Sequence, residues 1–168
     1  MLRNTILTAV LAVAAAGAFA AGNHAGGHGD HAGGHGSDAE PAIGQPGVAA
    51  KATRTIQVDM HDNMRFTPAD IRVKQGETVR FVVKNVGVIK HELVLGTDKE
   101  LKAHYEVMMK HPEMEHADPN MVTLAAGKTG EIVWQFTQAG KVDFACLQPG
   151  HYDAGMKGAV RVDKAARK

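Results

Sequence analysis

From Thr53 to Asp163 apolar and polar residues alternate in short runs. Ile56, Val58 and Met60 do so first, Ile71 and Val73 follow ahead of Gln75-Gly76, and Val79, Phe81 and Val83 come next. A period of two is the signature of strands with one face buried. His91 to Leu95, Ile132 to Phe136, Val142 to Cys146 and Ala159 to Val162 extend the series to about seven short strands, and the economical closure is an all-β sandwich of antiparallel strands. One segment departs from the pattern. Thr97 followed three residues later by Glu100 makes a capping box, and Leu101, Tyr105 and Met108 then recur at helical spacing. The spacing predicts a helix of roughly two to three turns, ended by His111-Pro112 and followed by a loop to about residue 127.

The region before the strands has two parts. Arg3, the apolar run from Ile6 to Ala16 and the small residues Ala18 and Ala20 around Phe19 form the three zones of a secretory signal peptide, expected to span residues 1–20. The run is short for a bilayer span and no second one follows, so the mature chain is expected to have no membrane span and to reside in the periplasm. Residues 21–52 are Gly, Ala, His and acidic residues without apolar periodicity, which predicts a disordered tail. The folded domain is expected over 53–164, with a short tail at 165–168.

Charge removes one class of partner. Nineteen Lys and Arg face 18 Asp and Glu, so no basic field exists to draw in nucleic acid. What stands out is 10 His and 8 Met beside a single Cys, a stock of soft and borderline metal ligands. In an oxidising compartment one cysteine cannot form an intramolecular disulfide, so Cys146 is a buried small hydrophobe, an intermolecular partner or a metal thiolate.

Its neighbours favour the last. Cys146, His151 and Met156 sit five residues apart on one loop between the last two strands, and His91 opens an earlier strand. A thiolate, two imidazoles and a weak axial thioether are the set that holds a single blue-type copper ion. Singly each residue has a bland reading, the Met as core, the His as surface and the Cys as inert filler. The combination on one predicted sandwich is what makes the metal reading specific.

Over about residues 53–163 the chain resembles the cupredoxins, the plastocyanin and azurin type of small copper protein. The likeness rests on Met64-Arg65-Phe66-Thr67-Pro68, on Ile71 to Val79 leading into Phe81, on Asn85 with His91-Glu92, and on the Cys-x4-His-x4-Met loop. The resemblance implies a Greek-key sandwich with one type 1 copper held by His91, Cys146, His151 and Met156. The leader histidines, the His-Glu pair and the Pro-Gly-His-Tyr loop are most similar to the periplasmic copper-tolerance members. One position departs from the common pattern. Many cupredoxins carry Asn after the first His ligand, where its side chain ties the ligand strand to the Cys loop; this chain has Glu92.

Two functions use such a site: copper tolerance by binding and redox cycling the ion, and one-electron carriage between periplasmic redox partner proteins. Multicopper catalysis is disfavoured, because Ala145 and Leu147 flank Cys146 where a second metal would need a histidine; weak cuprous oxidase activity stays open. Ligands beyond the four favour tolerance. His24, His28, His31 and His35 form a near repeat in the tail, and Met108, Met109, His111, Met114, His116 and Met121 cluster in the helix and loop. Both groups are expected secondary sites for additional copper ions, against the plainer readings of a solvated linker and a packed Met108. The protein is expected to act as a monomer.

Overall fold

The computed structural model describes residues 43–166. The expected signal peptide, tail residues 21–42 and the last two residues lie outside them.

Among the described residues, ten strands form two five-stranded sheets. In the first, the order is β1 (Gln45–Pro46), β8 (Thr129–Gln135), β5 (Thr78–Asn85), β2 (Arg54–His61) and β3 (Arg65–Thr67). In the second it is β4 (Asp70–Lys74), β10 (Lys157–Asp163), β9 (Gly140–Ala145), β6 (His91–Gly96) and β7 (Met121–Leu124). The alternating apolar residues meet between the sheets. Val58, Phe81, Val83 and Ile132 pack against Leu93, Leu95, Val142 and Phe144 in one core, with Phe66 edge-on to Phe144 and Phe81 edge-on to Phe136.

Several expectations need correction. The strands are not all antiparallel: β2 pairs parallel with β5, and β4 parallel with β10. Between β2 and β5 the chain crosses to the other sheet as β4, so it returns in its original direction. β3 and β7 are too short to show a period, and β7 falls inside the segment expected to be loop up to residue 127. Part of the expected tail is also built into the sandwich. Gln45–Pro46 pairs with Gln135 and Trp134, a 3-10 turn follows at Ala49–Lys51, and the Trp134 indole donates to the Ile43 carbonyl at 2.7 Å. A buried indole N–H needs an acceptor, and this stretch supplies it.

The helix stands where its signals place it. α1 (Asp98–Lys110) has the complete capping box, with Glu100 N–H donating to Thr97 Oγ1 at 3.3 Å and Thr97 N–H donating to Glu100 Oε2 at 2.8 Å. Leu101, Tyr105 and Met108 bury one face of it against Val94, Ala145, Leu147 and Tyr152, forming a second apolar cluster. β6 is therefore covered on both sides, and all six of its residues are buried. Leu93 and Leu95 enter the main core and Val94 the helix cluster.

Candidate metal centre

That alternation places the site. Cys146 follows β9 with the same parity as Val142 and Phe144, so it points into the main core, while Ala145 and Leu147 point to the helix. Val94 pairs with Ala145 across β6 and β9, which brings the start of β6 beside the end of β9. His91 Nδ1 lies 4.0 Å from Cys146 Sγ, His151 Nδ1 lies 3.2 Å from it, and the two Nδ1 atoms are 3.2 Å apart. Cys146 and His91 are fully buried, whereas His151 is half-buried at the site's outer edge.

The loop after Cys146 is wound on itself. Cys146 N–H donates to the Met156 carbonyl, Met156 N–H to the His151 carbonyl and His151 N–H to the Gln148 carbonyl, at 3.1, 3.0 and 3.0 Å. Gly150 and Gly155 adopt positive φ of 82° and 90°, which an L side chain resists. The backbone thus links all three loop residues of the expected set, and Met156 is fully buried in the main core beneath them. From outside, the Tyr105 hydroxyl accepts from Gly150 N–H at 3.1 Å and donates to Asp153 Oδ2 at 2.9 Å, bracketing His151.

Glu92 answers the departure noted in the sequence. Its carboxylate, 1% exposed, accepts from Leu147 N–H at 2.9 Å, Gln148 Nε2 at 3.2 Å and Thr123 Oγ1 at 3.2 Å. Its own N–H donates to Cys146 Sγ at 3.4 Å. The ligand strand is thereby tied to the Cys loop, the task expected of Asn in relatives. One participant gave no signal in the sequence: Asp62, just past β2, whose Oδ1 lies 3.0 Å from His91 Nε2. The Val88 N–H and then His91 hold the Asp62 carboxyl below its usual range. A single polar residue after a strand has no local pattern to find it by.

The donors fit a copper ion. A sulfur and two imidazole nitrogens converge within 4.8 Å of one another, and no other such group of His, Cys, Asp and Glu occurs among the described residues. With its Nε2 directed at a carboxylate, His91 leaves Nδ1 as the lone-pair nitrogen facing the sulfur. Burial pushes the Cys146 thiol up to about 12; the Glu92 and Gln148 N–H groups oppose that rise and the Glu92 charge adds to it. Burial first, then His91, holds His151 below its ordinary value.

A consequence for loading follows with definite sign. At neutral pH the metal-free site carries a thiol, so an ion bound as thiolate must displace its proton, and affinity rises with pH. His151, already neutral there, adds no proton of its own. Cys146 therefore contributes a gain of roughly tenfold in Cu(II) affinity per pH unit between about pH 7 and 9. Competition titrations against a chelator of known proton affinity measure it, and a flat profile would contradict thiolate ligation.

The remaining expected ligands divide. Met108 is 2% exposed and packs in the helix cluster with Met121. Met109, His111 and Met114 are exposed, and His116 packs against His104 with the rings tilted and their centroids 4.6 Å apart. A cavity of about 450 Å³ on the outer side of β6 and β7 is lined by Met108, Met114, His116 and Met121 together with Glu92 and Lys90; Met109 and His111 are not part of its wall. His24, His28, His31 and His35 lie outside the described residues.

Comparison with known proteins agrees with this geometry. A profile of copper-binding proteins of the plastocyanin/azurin family matches residues 52–163. The chain is 57% identical over 139 residues to the copper-resistant cuproprotein CopI of Rubrivivax gelatinosus, covering 83% of this chain and 80% of that one. It is 39% identical over 150 residues to the protein of the same name from Pseudomonas aeruginosa, covering 72% and 82%. Among solved structures, the reduced auracyanin of the photosynthetic bacterium Roseiflexus castenholzii superposes with a TM-score of 0.57 at 22% identity, covering 68% of this chain and 99% of that one, a likeness of fold. A two-sheet sandwich, a buried Cys between two imidazoles, and relatives of this similarity over most of the length mean that the chain belongs to the plastocyanin/azurin family of copper-binding proteins.

Proposed function

We propose that the protein holds one type 1 copper ion through His91, Cys146, His151 and Met156 and acts in periplasmic copper tolerance by binding the ion and cycling its oxidation state. The observation that carries this is the convergence of Cys146 Sγ with the Nδ1 atoms of His91 and His151 in a chain whose 57% identical relative is named a copper-resistant cuproprotein. Copper bound by this set exchanges one electron between Cu(I) and Cu(II). The chain's own part is to keep the donors still. Thiolate and thioether suit the cuprous state and imidazole suits both, while the buried strand ends and the wound loop resist rearrangement between them. Ala145 and Leu147, apolar and fully buried on either side of the cysteine, support binding over multicopper catalysis.

Further ligands support tolerance as against simple electron carriage. The cavity wall offers the thioethers of Met108, Met114 and Met121 and a His116 whose Nδ1 is buried without a hydrogen-bond partner. Burial, then His116, holds His104 beside it below its ordinary value, which leaves the His104 ring able to ligate. We assign this cavity to an additional copper ion, and the tail histidines His24, His28, His31 and His35 to capture of others. The signal-peptide pattern of residues 1–20 supports secretion, and we propose that the protein acts as a monomer.

Growth discriminates the two functions. A strain lacking the protein should grow normally on every electron acceptor at low copper and fail as copper rises, and Cys146→Ala should not restore it. A respiratory or photosynthetic defect at low copper would instead assign the protein to electron carriage.

A further inference from the structure

Asp62 reaches the centre by an arrangement that several residues are shaped to permit. It follows the last residue of β2, where Met60 pairs with Asn85 of β5, so it lies under the loop that runs from β5 to His91. Asn85 folds that loop: its Oδ1 accepts from Gly87 N–H and its Nδ2 donates to the Ile89 carbonyl. Asp62 Oδ2 then accepts from Val88 N–H at 2.8 Å, which leaves Oδ1 at 3.0 Å from His91 Nε2. Gly87 makes the room. A Cβ at that position would stand 1.8 Å from Asp62 Oδ1 and 2.5 Å from its Cγ. The loop can therefore close over the carboxylate only with glycine there.

We infer that Asp62 is a positioning residue for the copper ion, which fixes the His91 ring and biases the centre toward Cu(II). The inference rests on the ligand set proposed above. A carboxylate on the remote nitrogen keeps the proton on Nε2, aims Nδ1 at the metal and makes that nitrogen a stronger donor. Its fixed negative charge lies one imidazole away from the ion and favours the higher oxidation state of the two. With His91 fully buried and Asp62 partly exposed, the pair joins the interior of the site to its rim.

Asp62→Asn keeps size but loses the charge, and its amide cannot accept from both Val88 N–H and His91 Nε2–H unless one oxygen serves both. Gly87→Ala leaves Asp62 in place chemically but pushes its carboxylate aside, and because that side chain is partly exposed it can swing outward without unfolding the loop. Both variants should lower Cu(II) affinity relative to Cu(I) about tenfold, read as a rise of about 59 mV in reduction potential. In the diamagnetic Cu(I) protein, nitrogen-15 NMR should show the His91 Nε2–H shielded from exchange in the wild type and exchanging at least about tenfold faster in Asp62→Ala. A role confined to bracing the loop would lower the melting temperature of these variants yet leave potential and ring proton unmoved, and that result overturns the inference. Should the wild type lack a thiolate-to-copper band, the ligand set itself fails and the inference falls with it. A wild-type band with unmoved potentials in Asp62→Asn and Gly87→Ala rejects Asp62 alone.

Discussion

Cys146→Ala should fold, yet show none of the intense visible absorption expected of the copper-loaded wild type. The band belongs to charge transfer from thiolate sulfur to Cu(II), and Cys146 is the only cysteine in the chain. Removing one buried sulfur leaves a small void among Phe144, Leu93 and their neighbours, which costs on the order of 1 kcal/mol and leaves the sandwich standing. His91, His151 and Met156 remain but lack the thiolate that gives the band. Because the other His and Met residues are proposed to take up copper, the decisive readings are the absorption spectrum and the thermal melt, with total copper as a secondary one. A folded Cys146→Ala protein that keeps the band would remove the thiolate from the centre.

Glu92→Ala should be the most destabilising single change near the site. The carboxylate is the acceptor for the buried donors Leu147 N–H and Gln148 Nε2 and for Oγ1 of the more exposed Thr123. Leaving a buried donor unpaired costs about 1–3 kcal/mol, so the loss should total about 3 kcal/mol or more, a fall of roughly 10 °C in melting temperature. Glu92→Gln retains one oxygen for Leu147 but sets an amide N–H₂ against other donors, and should fall between wild type and Glu92→Ala. The copper-free protein is the sample to melt, since bound metal would mask part of the loss. Equal melting of Glu92→Ala and wild type would show that the three hydrogen bonds do not hold the loop.

What could be read from the residues is what local chemistry repeats. Period-two runs such as Val79, Phe81 and Val83 revealed strands, Thr97 with Glu100 revealed the helix start, and the even spacing of Cys146, His151 and Met156 pointed to one wound loop of candidate ligands. What escaped depends on partners distant in sequence. Gln45–Pro46 is a strand only because β8 offers it an edge, and β7 has Met121 and Leu124 buried with no alternation between them. The parallel pairing of β2 with β5 comes from a sheet crossing that no residue announces. Asp62 is the clearest case: its role exists only once the loop after Asn85 has folded over it. Glu92 was visible as a departure, but its three donors come from two other segments.

The separation of His91 from Cys146, 55 residues along the chain, has a bearing on time as well as place. His91 is made early and waits for β9, the ninth of ten strands, while β4 waits for β10 to complete its sheet. Pairings across such spans form late, because the loop must close before any contact rewards it. A chain whose last two strands have not yet docked has a thiol in water, with the ordinary reactivity of one, and no pocket to shield it. Copper arriving in that interval meets an oxidisable cysteine and loose imidazoles instead of a site. Folding ahead of metal binding is thus the safe sequence of events, and an ion held by these donors would be the lock on a finished sandwich rather than the scaffold on which it is built.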